Sequence, residues 1–187
     1  MTDAFRTALK NKCAPDTLHS FQPNRGDCVF LEAGTVHAIG ADILLFEVQQ
    51  TSDITYRLYD WDRVDARTGL PRELHVEDGL AVANFTGGPC RPAIPKVEER
   101  PGLKRERLVA CEYFTLDRIT ADRRFTVGAP GRCRIVVALD ADGRTEIEWE
   151  DVTGLATGDV VLIPAEVGEC SILPAGTVTV LEVGIPN

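Results

Sequence analysis

The sequence has little of what would mark a redox, nucleic-acid or membrane protein. None of its six cysteines forms a C-x-x-C pair. Cys13, Cys28, Cys90, Cys111, Cys133 and Cys170 sit mostly in apolar runs, which reads as buried free thiols rather than disulfides or a zinc knuckle. No apolar run approaches the roughly 18 residues of a membrane helix. The opening MTDAFRTALKNK lacks the apolar stretch of a signal peptide. These absences predict a cytoplasmic protein with no membrane partner. There is no basic excess either. The net charge of −9 argues against nucleic acid, although a few local arginines can still hold a small anion. There are three histidines, His19, His37 and His75, with no ligand-like spacing among them.

What is present is a chain of β texture, 44% hydrophobic and 26% charged, long enough for one domain or two small ones. Residues 3–12 predict a short N-terminal helix, with Phe5, Ala8 and Leu9 on one face. Residues 28–31, 43–49 and 54–59 predict strands, and 74–83 suits a short helix. Residues 86–101 hold Gly87, Gly88, Pro89, Pro92, Pro95 and Pro101 and read as a linker. Beyond it, strands are predicted over 107–117, 123–127, 132–139, 145–149, 160–163, 169–173 and 178–183, with a hairpin at Asp142-Gly143. Short strands at this spacing predict an all-β barrel or sandwich. A weak internal repeat supports two related units: Gly26-Asp27-Cys-Val-Phe-Leu-Glu-Ala matches Gly158-Asp159-Val-Val-Leu-Ile-Pro-Ala in character.

Functional side chains concentrate between Gly26 and Arg63. His37 follows a strand and a glycine turn, a place that suits either a metal ligand or a hydrogen-bonded edge histidine. Glu47 interrupts the apolar run LLFEV. Inside a barrel it must be paired, metal-bound or catalytic; outside it is a solvated charge. Arg57, Asp60, Asp62 and Arg63 form a mixed cluster beside Tyr56, Tyr59 and Trp61. It reads as a surface network or as recognition of a phosphate or an anionic transition state, with Arg57 the stronger candidate. Lys104, Arg105, Arg107, Arg123 and Arg124 read as solvated faces.

The run from Gly26-Asp27 through His37-Ala38, followed by Glu47-Val-Gln-Gln-x-Ser-Asp53-x-Thr-Tyr-Arg57-x-Tyr-Asp-Trp-x-Arg63, resembles the type I mannose-6-phosphate isomerases. PRELHVEDGLAVANF resembles the part that follows. The resemblance implies a cupin-type, jelly-roll β-barrel fold and a zinc-dependent interconversion of mannose 6-phosphate and fructose 6-phosphate. It implies that His37 is a metal ligand, that Arg57 stabilises the enediol-like intermediate, and that Glu47 and Asp53 line the same site. The family's Gln-x-His-Pro motif is absent, and Glu32 stands where a proline is usual. The chain thus corresponds to the C-terminal portion of such an enzyme, holding one of about four metal ligands.

The expected organisation is an incomplete cupin unit over residues 1–85, the linker, and a second cupin-like barrel without a site over 102–187. The expected ligand is a sugar phosphate. The alternative is a non-catalytic cupin-like protein that binds a sugar or sugar phosphate or acts in assembly. Unpaired strand edges in the first unit predict a homodimer, or a complementary N-terminal chain, covering residues 28–59.

Overall fold

Alternating apolar positions in the second half of the chain need a facing layer, and the fold supplies it. The computed structural model describes residues 2–52 and 54–186, in two compact units, Met1–Pro92 and Ala93–Asn187. The second unit has ten strands: β1 Lys96–Arg100, β2 Leu103–Ala110, β3 Thr115–Ala121, β4 Phe125–Gly128, β5 Arg134–Asp140, β6 Asp142–Glu148, β7 Val152–Ala156, β8 Val160–Ile163, β9 Glu169–Leu173 and β10 Val178–Gly184. They form two antiparallel sheets, of order β1-β2-β3-β10-β5-β8 and β4-β9-β6-β7. The core lies between them. Ile119, Val136, Ala138, Val178, Val180 and Ile163 come from the first sheet. Phe125, Val127, Ile147, Leu155, Cys170 and Ile172 come from the second. Burial pushes the Cys170 thiol pKa up.

Three details differ from the sequence expectation. The predicted strand 107–117 is two strands, because the chain turns back at Cys111, whose N–H donates to Phe114 O at 3.1 Å. Asp142-Gly143 does not close a hairpin between β5 and β6. β5 pairs with β10 and β8, while β6 pairs with β7 and β9, so the chain changes sheets at this point. β1 forms within the stretch whose composition reads as a linker. It is exposed along its length, and its KVEER charges suit an edge strand.

On β2, Glu106 is held by Arg118 Nε and Nη2 at 2.8 and 3.1 Å and by Lys104 Nζ at 3.0 Å. The hydrogen-bonded Arg118 guanidinium is the main cause of its depressed pKa, about 2, with Lys104 adding to it. A carboxylate depressed in the folded state stabilises the fold above its ordinary pKa, and loses that contribution as pH falls through the folded value. Glu106 is therefore expected to contribute up to about 3 kcal/mol at neutral pH, lost between roughly pH 4.5 and 2. Denaturant titrations of the native chain and Glu106→Gln should converge across that window. Parallel pH profiles would refute the assignment.

The first unit is built differently. α1 (Thr2–Lys10) buries Phe5, Ala8 and Leu9, and α2 (Val76–Val82) buries Leu80. Phe5, Leu9 and Leu80, with Ala14 of a 3-10 turn, make a small core, against which Leu18, Val36, Leu58, Tyr59, Val76 and Phe85 pack. An Arg6–Glu77 ion pair ties the two helices together. At Gly34 (φ +84°) the chain passes so close to α2 that a Cβ would lie 2.8 Å from Val82 O, and Asn84 N–H donates to Gly34 O at 2.8 Å.

Residues 28–31, 43–49 and 54–59 do not form strands; among the described residues of this unit the sole β pairing is the isolated Val64–Pro71 bridge. The reason is physical. A strand exists only through a ladder of repeated backbone pairings, and none of these runs forms one among the described residues; His75 N–H on Arg57 O at 2.8 Å is a single bond, not a ladder. Many of their apolar side chains consequently face solvent, Leu44 fully, Ile54 at 64% and Leu45 at 45%, while Leu58 and Tyr59 pack against the small core.

Candidate functional site

His37 is held by the turn that precedes it, with its Nδ1 2.9 Å from Thr35 O, and its ring is exposed. That contact leaves Nε2 as the nitrogen available to a ligand. Arg57 is half-buried. Its N–H donates to His75 Nδ1 at 3.2 Å, His75 N–H donates to Arg57 O at 2.8 Å, and its Nη1 donates to Glu73 O at 3.4 Å. His75, just before α2, therefore fixes the backbone that presents Arg57. Sequence reasoning missed it, because the contact spans 18 residues and leaves no local signal. Glu47 is exposed, and Asp53 lies outside the described residues. No hydrogen bond or ion pair joins His37, Glu47 and Arg57 among the described residues.

The Asp60 cluster is more ordered than a surface network. Asp60 is buried and receives Arg72 Nε at 2.7 Å, with Arg72 Nη2 on its other oxygen and Arg63 3.4 Å away. The Arg72 hydrogen bonds hold its carboxyl below the usual range. Arg63 in turn sits over the Trp61 ring at 5.0 Å. This pairing consumes Asp60 and Arg72, whereas Arg57 makes no ion pair among the described residues, although its charge adds to those that hold Asp60 ionised.

Among the described residues no group of three histidine, cysteine or acidic side chains could hold a metal ion. The residues present thus do not fit a complete zinc cage, and His37 would be one donor among several.

Two antiparallel sheets packed face to face in this strand order make the second unit a cupin-type jelly roll. The comparisons with known proteins narrow the class. The chain is 35% identical over 144 residues to the mannose-6-phosphate isomerase ManA of Bacillus subtilis, covering 77% of this chain and 45% of that protein. It is 34% identical over 139 residues to the mannose-6-phosphate isomerase of Streptococcus mutans, covering 74% of this chain and 43% of that one. The solved mannose 6-phosphate isomerase from Bacillus subtilis superposes with a TM-score of 0.59 at 26% identity, over 71% of this chain and 40% of the other. No family model matches the chain. The chain belongs to the mannose-6-phosphate isomerase family and matches the C-terminal portion of its members. It spans a little under half the length of the curated relatives it matches.

Proposed function

We propose that this chain is the arginine-bearing portion of an aldose–ketose isomerase that interconverts mannose 6-phosphate and fructose 6-phosphate in the cytoplasm. The observation that carries the reading is Arg57, half-buried, backbone-locked by His75 and in no ion pair among the described residues. Moving a proton between adjacent carbons of a sugar builds negative charge on an enediolate oxygen. A fixed guanidinium is the group that stabilises it. Glu47 and Asp53 would flank that centre as carboxylates able to take and return the proton. Zinc is the metal that the resemblance implies, and it would need donors beyond His37.

The incomplete donor set and the apolar runs that form no strands call for the same thing. Residues 28–59 carry exposed apolar side chains that a ladder would cover, and the relatives have an upstream portion that this chain does not span. A polypeptide with that upstream portion would supply both strands and ligands. A second copy would bring the same His37 again and no new donor.

The test is to supply the upstream half of a ManA-type relative in trans. The chain alone should bind no stoichiometric zinc and turn over no mannose 6-phosphate. The reconstituted pair should do both, and His37→Ala should abolish both. A pair that assembles, seen by light scattering, yet holds no zinc and shows no turnover would end the isomerase reading. It would leave a non-catalytic, cupin-like sugar-binding role.

A further inference from the structure

The inner face of the six-stranded sheet changes character along its length. In one cross-strand row, Ile119, Val180 and Ala138 are buried in the apolar core. One step along, Asp117 and Glu182 take the positions on β3 and β10, with Arg107 of β2 on one side and the buried Val136 of β5 on the other, and a step further come Thr115, Gly184 and Arg134. Side chains two apart on a strand share a face, so these charges point to the same side as the core. Arg105 and Arg107, predicted from the sequence to be solvated, thus lie on the inner-face side of the sheet, where Arg105 is half-buried and Arg107 stays exposed at 42%. Around them is a cavity of about 100 Å³, room for a few waters or one small solute.

The hydrogen bonds of this cavity leave one kind of group over. Asp117, 4% exposed, receives Arg107 through Nε on one oxygen and through Nη2 at 3.0 Å on the other, and Arg105 Nη1 lies 3.3 Å away. Glu182, 5% exposed, receives Arg105 Nη1 at 3.2 Å and Gly128 N–H at 2.6 Å. Every carboxylate oxygen is thus already served. Arg134 has no carboxylate partner among the described residues; its Nη1 donates to Cys133 O at 3.0 Å. Three guanidiniums and two carboxylates line the cavity beside the Thr115 hydroxyl, which donates to Gly184 O at 3.4 Å. Its lining thus carries a net positive charge in an acidic chain, partly offset at Arg107 by Glu98 of β1, and its spare charged groups are N–H donors.

The placing of Arg134 depends on its neighbour. A Cβ at Gly184 would lie 2.8 Å from Arg134 Cζ and Nε, so the guanidinium rests on β10 only because residue 184 has no side chain.

We propose that this cavity is an oxyanion-binding site of the second jelly roll, taking one phosphate or carboxylate group, with Arg134 as the principal ligand and Arg105 and Arg107 completing the donor set. A compact acceptor with several oxygens satisfies converging guanidinium forks, whereas a neutral or cationic solute leaves the excess charge uncompensated. The site lies within the second unit and does not depend on the isomerase reading.

The test uses the full chain with inorganic phosphate and, separately, acetate, by calorimetric titration at constant ionic strength. One of the two anions should bind in the millimolar range or tighter, and which one identifies the oxyanion class. Arg134→Gln should weaken that binding by about tenfold or more. Gly184→Ala, which displaces the guanidinium without removing it, should weaken it as well. If Arg134→Gln does not fold, Gly184→Ala is decisive. No binding of either anion to the native chain would overturn the proposal. So would binding unchanged in both variants, which would place the anion elsewhere, for instance at Arg57.

Discussion

Ile119→Ala is expected to destabilise the second unit by about 3–4 kcal/mol, measured by urea denaturation followed at the tryptophans. Ile119 is 0% exposed and lies between β2 and β10, paired with Arg105 and Val180. The facing sheet packs Ile172 and Val127, both almost without exposure, into the same core. Cross-strand pairs hold both sides of the site, so a cavity there cannot close by moving the backbone. The matching control is Leu44→Ala. That side chain is fully exposed, and its loss should change the stability of the isolated chain by less than about 0.5 kcal/mol. A cost as large as that of Ile119→Ala would mean that the 43–49 run is already covered in solution, and would contradict its exposed state.

Arg57→Ala is expected to lower kcat of the reconstituted enzyme by about 10²–10³-fold, with a smaller change in KM. The interaction with His75 is made by the Arg57 backbone, so the substitution leaves that pairing intact. Its effect should fall on the transition state rather than on folding. Arg57→Lys retains the charge and loses the planar fork, and should recover part of the rate. Steady-state kinetics on the pair with the upstream portion supplied decides it. A loss confined to KM would make Arg57 a substrate-binding group rather than one that stabilises the intermediate.

Much of the second unit was legible because its strands alternate cleanly. Phe125 and Val127 about Thr126, or Cys170 and Ile172 alternating with Glu169 and Ser171, announce strands wherever they are placed. What was not legible was where the same alternation stops being apolar. Arg105 and Arg107 look like surface residues in the sequence, since their carboxylate partners are 10 to 77 residues away. The same holds in the first unit, where Asp60 is satisfied by Arg72 and Arg57 is fixed by His75 across intervening loops. The motif spanning His37 to Arg63 identified the family, but a motif does not say which of its side chains are spent on structure.

The two copies of the Gly-Asp turn separate local from tertiary control. In the first, Asn24 N–H donates to Asp27 Oδ2 at 2.8 Å and Asp27 N–H to Asn24 O at 3.0 Å. In the second, Ala156 N–H donates to Asp159 Oδ2 at 2.8 Å and Asp159 N–H to Ala156 O at 3.0 Å. The later turns match as well, Thr35 to Glu32 and Val167 to Pro164. The short-range chemistry of the sequence determined both turns, because every group they need lies within three residues. The strand between the turns was decided elsewhere. Residues 160–163 form β8 because β5 lies alongside to complete the ladder. Residues 28–31, with the same turns and the same apolar character, form none. A turn closes on itself, whereas a strand needs a neighbour, and that neighbour is supplied only by tertiary structure.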